Sequence, residues 1–140
     1  MEIDLNLNLI RYLNILEEIS KVRAINCFTF NNTIFFVVKK KDMKKAIGRN
    51  GNNVRRVSSI IKKRIRVLSN PVNEKERVVF IEKMLEPLVI EEIKIKDDEL
   101  TIKAGLQERS IIIGRNRKGE KEMIGVLNQL FGIKKINFQK

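Results

Sequence analysis

An internal repeat at an offset of 66 residues constrains this 140-residue chain more than any other feature. The pair Asn31-Asn32 falls on Asp97-Asp98, and Gly48 falls on Gly114. Apolar positions keep step with them: Ile34 falls on Leu100, Phe36 on Ile102, Ile47 on Ile113, Val57 on Met123 and Ile61 on Leu127. Two unrelated segments would seldom hold such register, so the chain reads as a duplication of one small unit. A unit of about 70 residues buries only a thin core, so each must be compact or lean on the other. The boundary is expected at Pro71, within Ser69-Asn70-Pro71-Val72-Asn73, where a strand-like segment gives way to a helical one. The two domains are then residues 1–70 and 71–140.

Periodicity orders the elements within each unit. Leu9, Leu13, Leu16 and Ile19 recur at helical spacing and predict a helix from Asn8 to Ser20, with a short strand around Ile3 and Leu5 before it. In the second unit Asn73 followed by Glu76 reads as a capping box opening a helix through Leu85, stopped by Pro87. Val79 or Phe80, Lys83-Met84 and Leu85 give it a partly apolar face. The β-rich runs Val22 to Phe30 and Thr33 to Lys39 flank Asn31-Asn32; Leu88 to Lys96 and Glu99 to Ala104 flank Asp97-Asp98. Asn and Asp tolerate the positive φ of a tight turn, so each set predicts a β-hairpin.

A short helical stretch, a glycine-marked turn, a longer amphipathic helix and a closing strand follow in each half. The longer helix turns Val54, Val57, Ile60 and Ile61 to the core in the first unit, and Met123, Val126 or Leu127, Leu130 and Phe131 in the second. Arg64 to Leu68 and Lys134 to Phe138 form the closing strands. Ile136 matches Ile65 at an offset of 71, so the second helix or its exit is the longer. The fold class is α+β, with αββααβ written twice.

Net charge is +12, and it is uneven. Residues 1–70 hold 15 basic and 5 acidic side chains, whereas 71–140 hold 14 and 12. Such a field draws polyanions, most strongly to the first unit. The single cysteine, Cys27, excludes an internal disulfide framework, and the absence of histidine removes the usual general base and commonest metal ligand. Apolar runs such as Ile34 to Val38 are too short to span a bilayer, and MEIDLNLNLIRY lacks the basic segment of a signal peptide. A cytoplasmic protein without membrane association is expected.

The chemistry concentrates in Lys44-Lys45-Ala46-Ile47-Gly48-Arg49-Asn50-Gly51-Asn52-Asn53-Val54-Arg55-Arg56-Val57. Two glycines three residues apart, between helical stretches, allow a tight turn whose backbone can press against a ligand. The helix that follows aims its amide groups and positive dipole end at the turn, which suits a phosphate. Lys44, Lys45, Arg49, Arg55 and Arg56 surround it, and an apolar groove beside Val54 and Val57 suits unstacked bases.

The I-G-x-x-G sequence at Ile47 to Gly51, set in αββααβ, resembles the KH domain of the second, prokaryotic topology, whose GXXG loop clamps single-stranded nucleic acid. Two such domains in tandem over about residues 1–139, with Ile10-Arg11-Tyr12 in the first helix and Phe131-Gly132-Ile133 before the last strand, resemble the archaeal NusA-like transcription factors. The resemblance implies two type II KH domains, each a three-stranded sheet covered by helices. It also implies binding of nascent single-stranded RNA during transcription elongation, termination or antitermination, with RNA polymerase as a further partner. By that likeness the RNA-binding residues are Lys44, Lys45, Ile47, Gly48, Arg49, Asn50, Gly51, Asn52, Asn53, Val54, Arg55 and Arg56, then Gly114, Arg115, Asn116, Arg117 and Lys118. A non-enzymatic monomer without cofactor or metal is expected.

The second loop departs from the pattern, because Arg117 stands where the second glycine belongs and Gly119 follows two residues later. Either this unit binds, through the side chains of Arg115, Arg117 and Lys118 or by a loop widened at Gly119, or it is a degenerate copy kept for packing and general affinity. Other readings are a KH-type factor in ribosome biogenesis or rRNA processing, a helix-turn-helix DNA binder, and a nucleic-acid enzyme using a magnesium site at Glu91-Glu92 or Asp97-Asp98-Glu99. The last three acids fit a solvated hairpin tip better.

Overall fold

A computed structural model describes residues 7–140; the strand expected around Ile3 and Leu5 lies outside the described residues. Helix α1 (Leu7–Ser20) buries Leu9, Tyr12 and Leu16 along one stripe, with Leu13 and Ile19 half-buried beside them. It stops where Lys21 turns left-handed at φ 64, and the buried Ser20 hydroxyl donates to the Leu16 carbonyl at 2.7 Å. Strands β1 (Asn26–Phe30) and β2 (Thr33–Val38) pair antiparallel across Asn31 and Asn32, both at positive φ as the hairpin requires. Strand β1 begins later than its apolar run, since Val22 to Ile25 make the approach from α1, whereas β2 starts at Thr33 as expected.

Helix α2 (Met43–Ile47), the loop, and helix α3 (Asn52–Ile61) then lead into β3 (Arg64–Ser69), which lies parallel to β2 with Ile34 opposite Ile65. The sheet order is β1-β2-β3, so β2 is central. Every residue of β2 is buried. Its alternate residues Ile34, Phe36 and Val38 join Leu16, Ala46, Val57 and Ile65 in one core under the helices. Val57 and Ile61 are the buried positions of α3, Val54 is half-buried, and Ile60 is 49% exposed, contrary to the core place expected of it.

A second compact unit starts at Pro71. Helix α4 (Glu74–Leu85) is capped by Asn73, whose side chain accepts from the Glu76 amide at 2.8 Å. Glu76 reaches back to accept from the Val72 amide at 3.0 Å, one residue before the usual capping-box partner. Phe80, Ile81, Met84 and Leu85 are its buried face, and Val79 is exposed. Strands β4 (Glu92–Lys96) and β5 (Glu99–Lys103) form the antiparallel pair, and β6 (Lys135–Gln139) lies parallel to β5 with Leu100 opposite Ile136.

Between them run α5 (Leu106–Ile113) and α6 (Lys118–Phe131). The register pairs Ile34–Ile65 and Leu100–Ile136 carry the offset of 71 noted for the last strand, because α6 has 14 residues where α3 has 10 and the connection from it to the closing strand is one residue longer. The longer helices even end alike: the left-handed Lys62 and Gly132 cap them, and Ser58 and Asn128 side chains donate to the Lys63 and Ile133 carbonyls. Met123, Val126 and Leu127 are buried, whereas Leu130 and Phe131 are half-buried. The protein is thus α+β, with six helices and two three-stranded mixed sheets among the described residues, an arrangement compatible with KH-like domains.

Candidate nucleic-acid interface

Three backbone conformations build the first loop. Gly48 ends α2 at φ 81 and ψ 168, a region closed to residues with a Cβ. A Cβ there would lie 2.7 Å from Asn53 Cγ and 2.8 Å from the Asn53 amide nitrogen. Asn50 (φ 54, ψ 29) and Gly51 (φ 74, ψ 16) are both left-handed, and Asn52 resumes the right-handed helix. The Gly51 amide donates to the Gly48 carbonyl at 3.0 Å and the Asn52 amide to the Arg49 carbonyl. These two amides are therefore used inside the turn. What faces an anion is the positive end of α3 together with the side chains around it.

Those side chains are well placed. Lys44, Lys45, Arg49, Asn50, Asn52, Arg55 and Arg56 are exposed, while Ile47, Gly48, Gly51, Asn53 and Val54 are half-buried behind them. Asn53 Nδ2 donates to the Lys45 carbonyl at 3.0 Å and locks α3 to α2; Arg55 Nη1 donates to the Asn50 carbonyl at 2.5 Å across the loop. Among the described residues Lys44, Lys45, Arg49 and Arg56 form no ion pair. From Lys39 to Ser69 the only acid is Asp42, so this surface is a nearly uncompensated cationic field. Exposed Lys40 and Lys41 extend it on a 3-10 turn ahead of α2. Sequence reasoning passed over them, although the run Lys39-Lys40-Lys41 was the signal.

The second loop repeats the first almost torsion for torsion. Gly114 stands at φ 73 and ψ 173, Asn116 at φ 56 and ψ 29, and Arg117 at φ 59 and ψ 23 where Gly51 stood. The Arg117 amide donates to the Gly114 carbonyl at 3.1 Å, closing the same turn. An arginine therefore occupies the left-handed position without changing the loop. Arg115, Asn116, Arg117 and Lys118 are exposed and Gly114 is half-buried. The widened loop suggested by Gly119 is not what forms. Gly119 falls at the place of Asn53, and a Cβ there would run into the Ile112 carbonyl oxygen, so the glycine lets α6 pass tightly over the end of α5.

Sequence reasoning also overlooked Glu120, which falls on Val54 at the same offset. It is 8% exposed, and its Oε1 lies 2.5 Å from Nη2 of Arg117, whose side chain is 63% exposed. Neither Glu120 Oε1 nor the buried Arg109 Nε makes a hydrogen bond among the described residues.

Elsewhere the chemistry is quiet. Asp97 is exposed and Asp98 half-buried at the second hairpin, where the Asp98 carbonyl accepts from the Lys134 amide at 2.7 Å. No group of three or more His, Cys, Asp or Glu able to hold a metal occurs among the described residues. Burial pushes the Cys27 thiol up to about 12. None of the described helices is long and apolar enough to cross a membrane.

No family model matches the chain. It is 26% identical over 140 residues to a probable transcription termination protein NusA from Methanococcus vannielii, covering 97% of this chain and 79% of that relative. It is 24% identical over 119 residues to a probable transcription termination protein NusA from Halococcus morrhuae, covering 83% and 84%. The chain thus resembles archaeal NusA-like proteins, as its motifs implied. The crystal structure of a protein called APE1850 matches with a TM-score of 0.65 at 24% identity, over 96% of this chain and 99% of that one, and shares its fold.

Proposed function

We propose that the chain is a single-stranded RNA-binding factor acting in transcription elongation, termination or antitermination, built from two type II KH domains in tandem, residues 1–70 and 71–140. The carrying observation is the Gly48–Gly51 turn: a loop only glycine can begin, at the positive end of α3, ringed by exposed cations with one acid among them. In this assignment Arg49, Lys44, Lys45 and Arg56 take backbone phosphates, and the half-buried Val54 and Ile47 border the groove for unstacked bases. Asn53 and Arg55 hold the loop in shape. Gly114 to Lys118 form a second contact along the strand. The nascent transcript and RNA polymerase are the proposed partners, and no catalytic step is assigned.

The test is a charge reversal in the loop. Arg49→Asp with Asn50→Asp, read by fluorescence anisotropy at fixed salt against a single-stranded RNA, should weaken binding by at least about tenfold. The melting temperature should move little, since both side chains are exposed. Unchanged affinity in a folded variant would remove the first loop from the site, and preference for duplex DNA over single-stranded RNA in the parent would overturn the reading itself.

A further inference from the structure

The two loops share a backbone and differ at a coupled pair: Gly51 and Val54 in the first unit become Arg117 and Glu120 in the second. The new residues stand three apart and are ion-paired. Their situations are unequal, because the arginine is mostly exposed while the glutamate is nine-tenths buried and its Oε1, set against the arginine, has no other hydrogen-bond partner. An arriving phosphate can therefore draw Arg117 outward, but Glu120 cannot follow. A buried carboxylate stripped of its cation is costly unless a donor replaces it.

From this we propose that Glu120 is a base-reading residue of the second unit, selecting a pyrimidine that carries an amino group over one that carries a carbonyl there. The proposal rests on the RNA-binding function above. Without RNA the carboxylate holds Arg117. With RNA the guanidinium passes to a phosphate and the carboxylate accepts from the N4 amino group of cytosine. Uracil presents an oxygen at the same position and would set two acceptors against each other. The first unit, with Val54, has no such filter. A structural role also exists for Glu120, as an acid in the first turn of α6 that favours the helix dipole. That role predicts a loss of stability on substitution and no change in base preference.

The test uses the full chain carrying Arg49→Asp and Asn50→Asp, so that the second loop dominates, titrated with oligocytidine and oligouridine of equal length. Oligocytidine should bind roughly tenfold tighter. Adding Glu120→Val should bring the ratio close to one, mostly by raising the affinity for oligouridine as Arg117 is released. Glu120→Gln keeps the shape and removes the charge, and should cut the ratio at least about threefold; it decides the matter if the valine variant fails to fold. A ratio that survives substitution of Glu120, or a parent variant that binds neither oligonucleotide or binds both equally, overturns the proposal. Failure of the unmodified chain to bind either RNA would instead overturn the function on which it rests.

Discussion

Gly48 shows how much one residue decides. Its φ of 81 with ψ of 168 excludes a side chain, and the space a Cβ would take is filled by Asn53. Gly48→Ala should therefore cost about 2–3 kcal/mol, read by chemical denaturation, and should displace the loop enough to weaken RNA binding as well. Asn50→Gly is the contrasting change: Asn50 is already left-handed and exposed, so its stability should shift by less than about 0.5 kcal/mol. Cys27 offers a test of the core. Its thiol ordinarily ionises near 9.0 and burial raises it to about 12, so iodoacetamide at pH 8 should label it only after denaturation. The linkage has one sign: between pH 9 and 12 the unfolded chain releases the thiol proton and the folded chain keeps it, so the native state loses stability as pH rises. Cys27→Ala should flatten that part of the alkaline decline. The glycines and asparagines of the loop were legible because their chemistry is local. Arg117 was not, since whether an arginine pays the left-handed penalty depends on what the rest of the turn imposes.

Elements were read well wherever a terminus carries its own signal. Asn73 and Glu76 announced the start of α4, and their side-chain bonds form, though Glu76 reaches Val72 rather than Asn73. Asn73→Ala should cost about 1 kcal/mol, seen as a lower melting temperature with no effect on the first loop. Helix faces were less legible. Ile60 precedes Ile61 and so lies about 100° around α3, on the flank of the stripe made by Val54, Val57 and Ile61. Tyr12 was assigned to no face but is buried in α1, its ring within 6.0 Å of the Arg11 guanidinium. Periodicity locates a stripe without setting its width; the neighbouring elements do that.

Over the whole molecule the charge distribution should govern how RNA is held. With 15 basic against 5 acidic residues in 1–70, the salt dependence of affinity should fall sharply in the first-loop double variant. Arg115→Asp with Asn116→Asp should flatten it less, because residues 71–140 set 14 basic side chains against 12 acidic ones. Equal losses from the two loops, measured as slopes of log affinity against log salt, would argue against this division of labour. By itself the sequence determined the duplication, the order αββααβ, the hairpin turns and the address of both loops. These follow from spacing, from turn residues and from an offset that any pair of positions either keeps or breaks. Only the tertiary structure decided that the second loop is intact, that Gly119 serves helix packing, and that Arg117 and Glu120 act as a pair. Those outcomes depend on which atoms approach one another across separate helices, and one-dimensional spacing carries no distance between side chains.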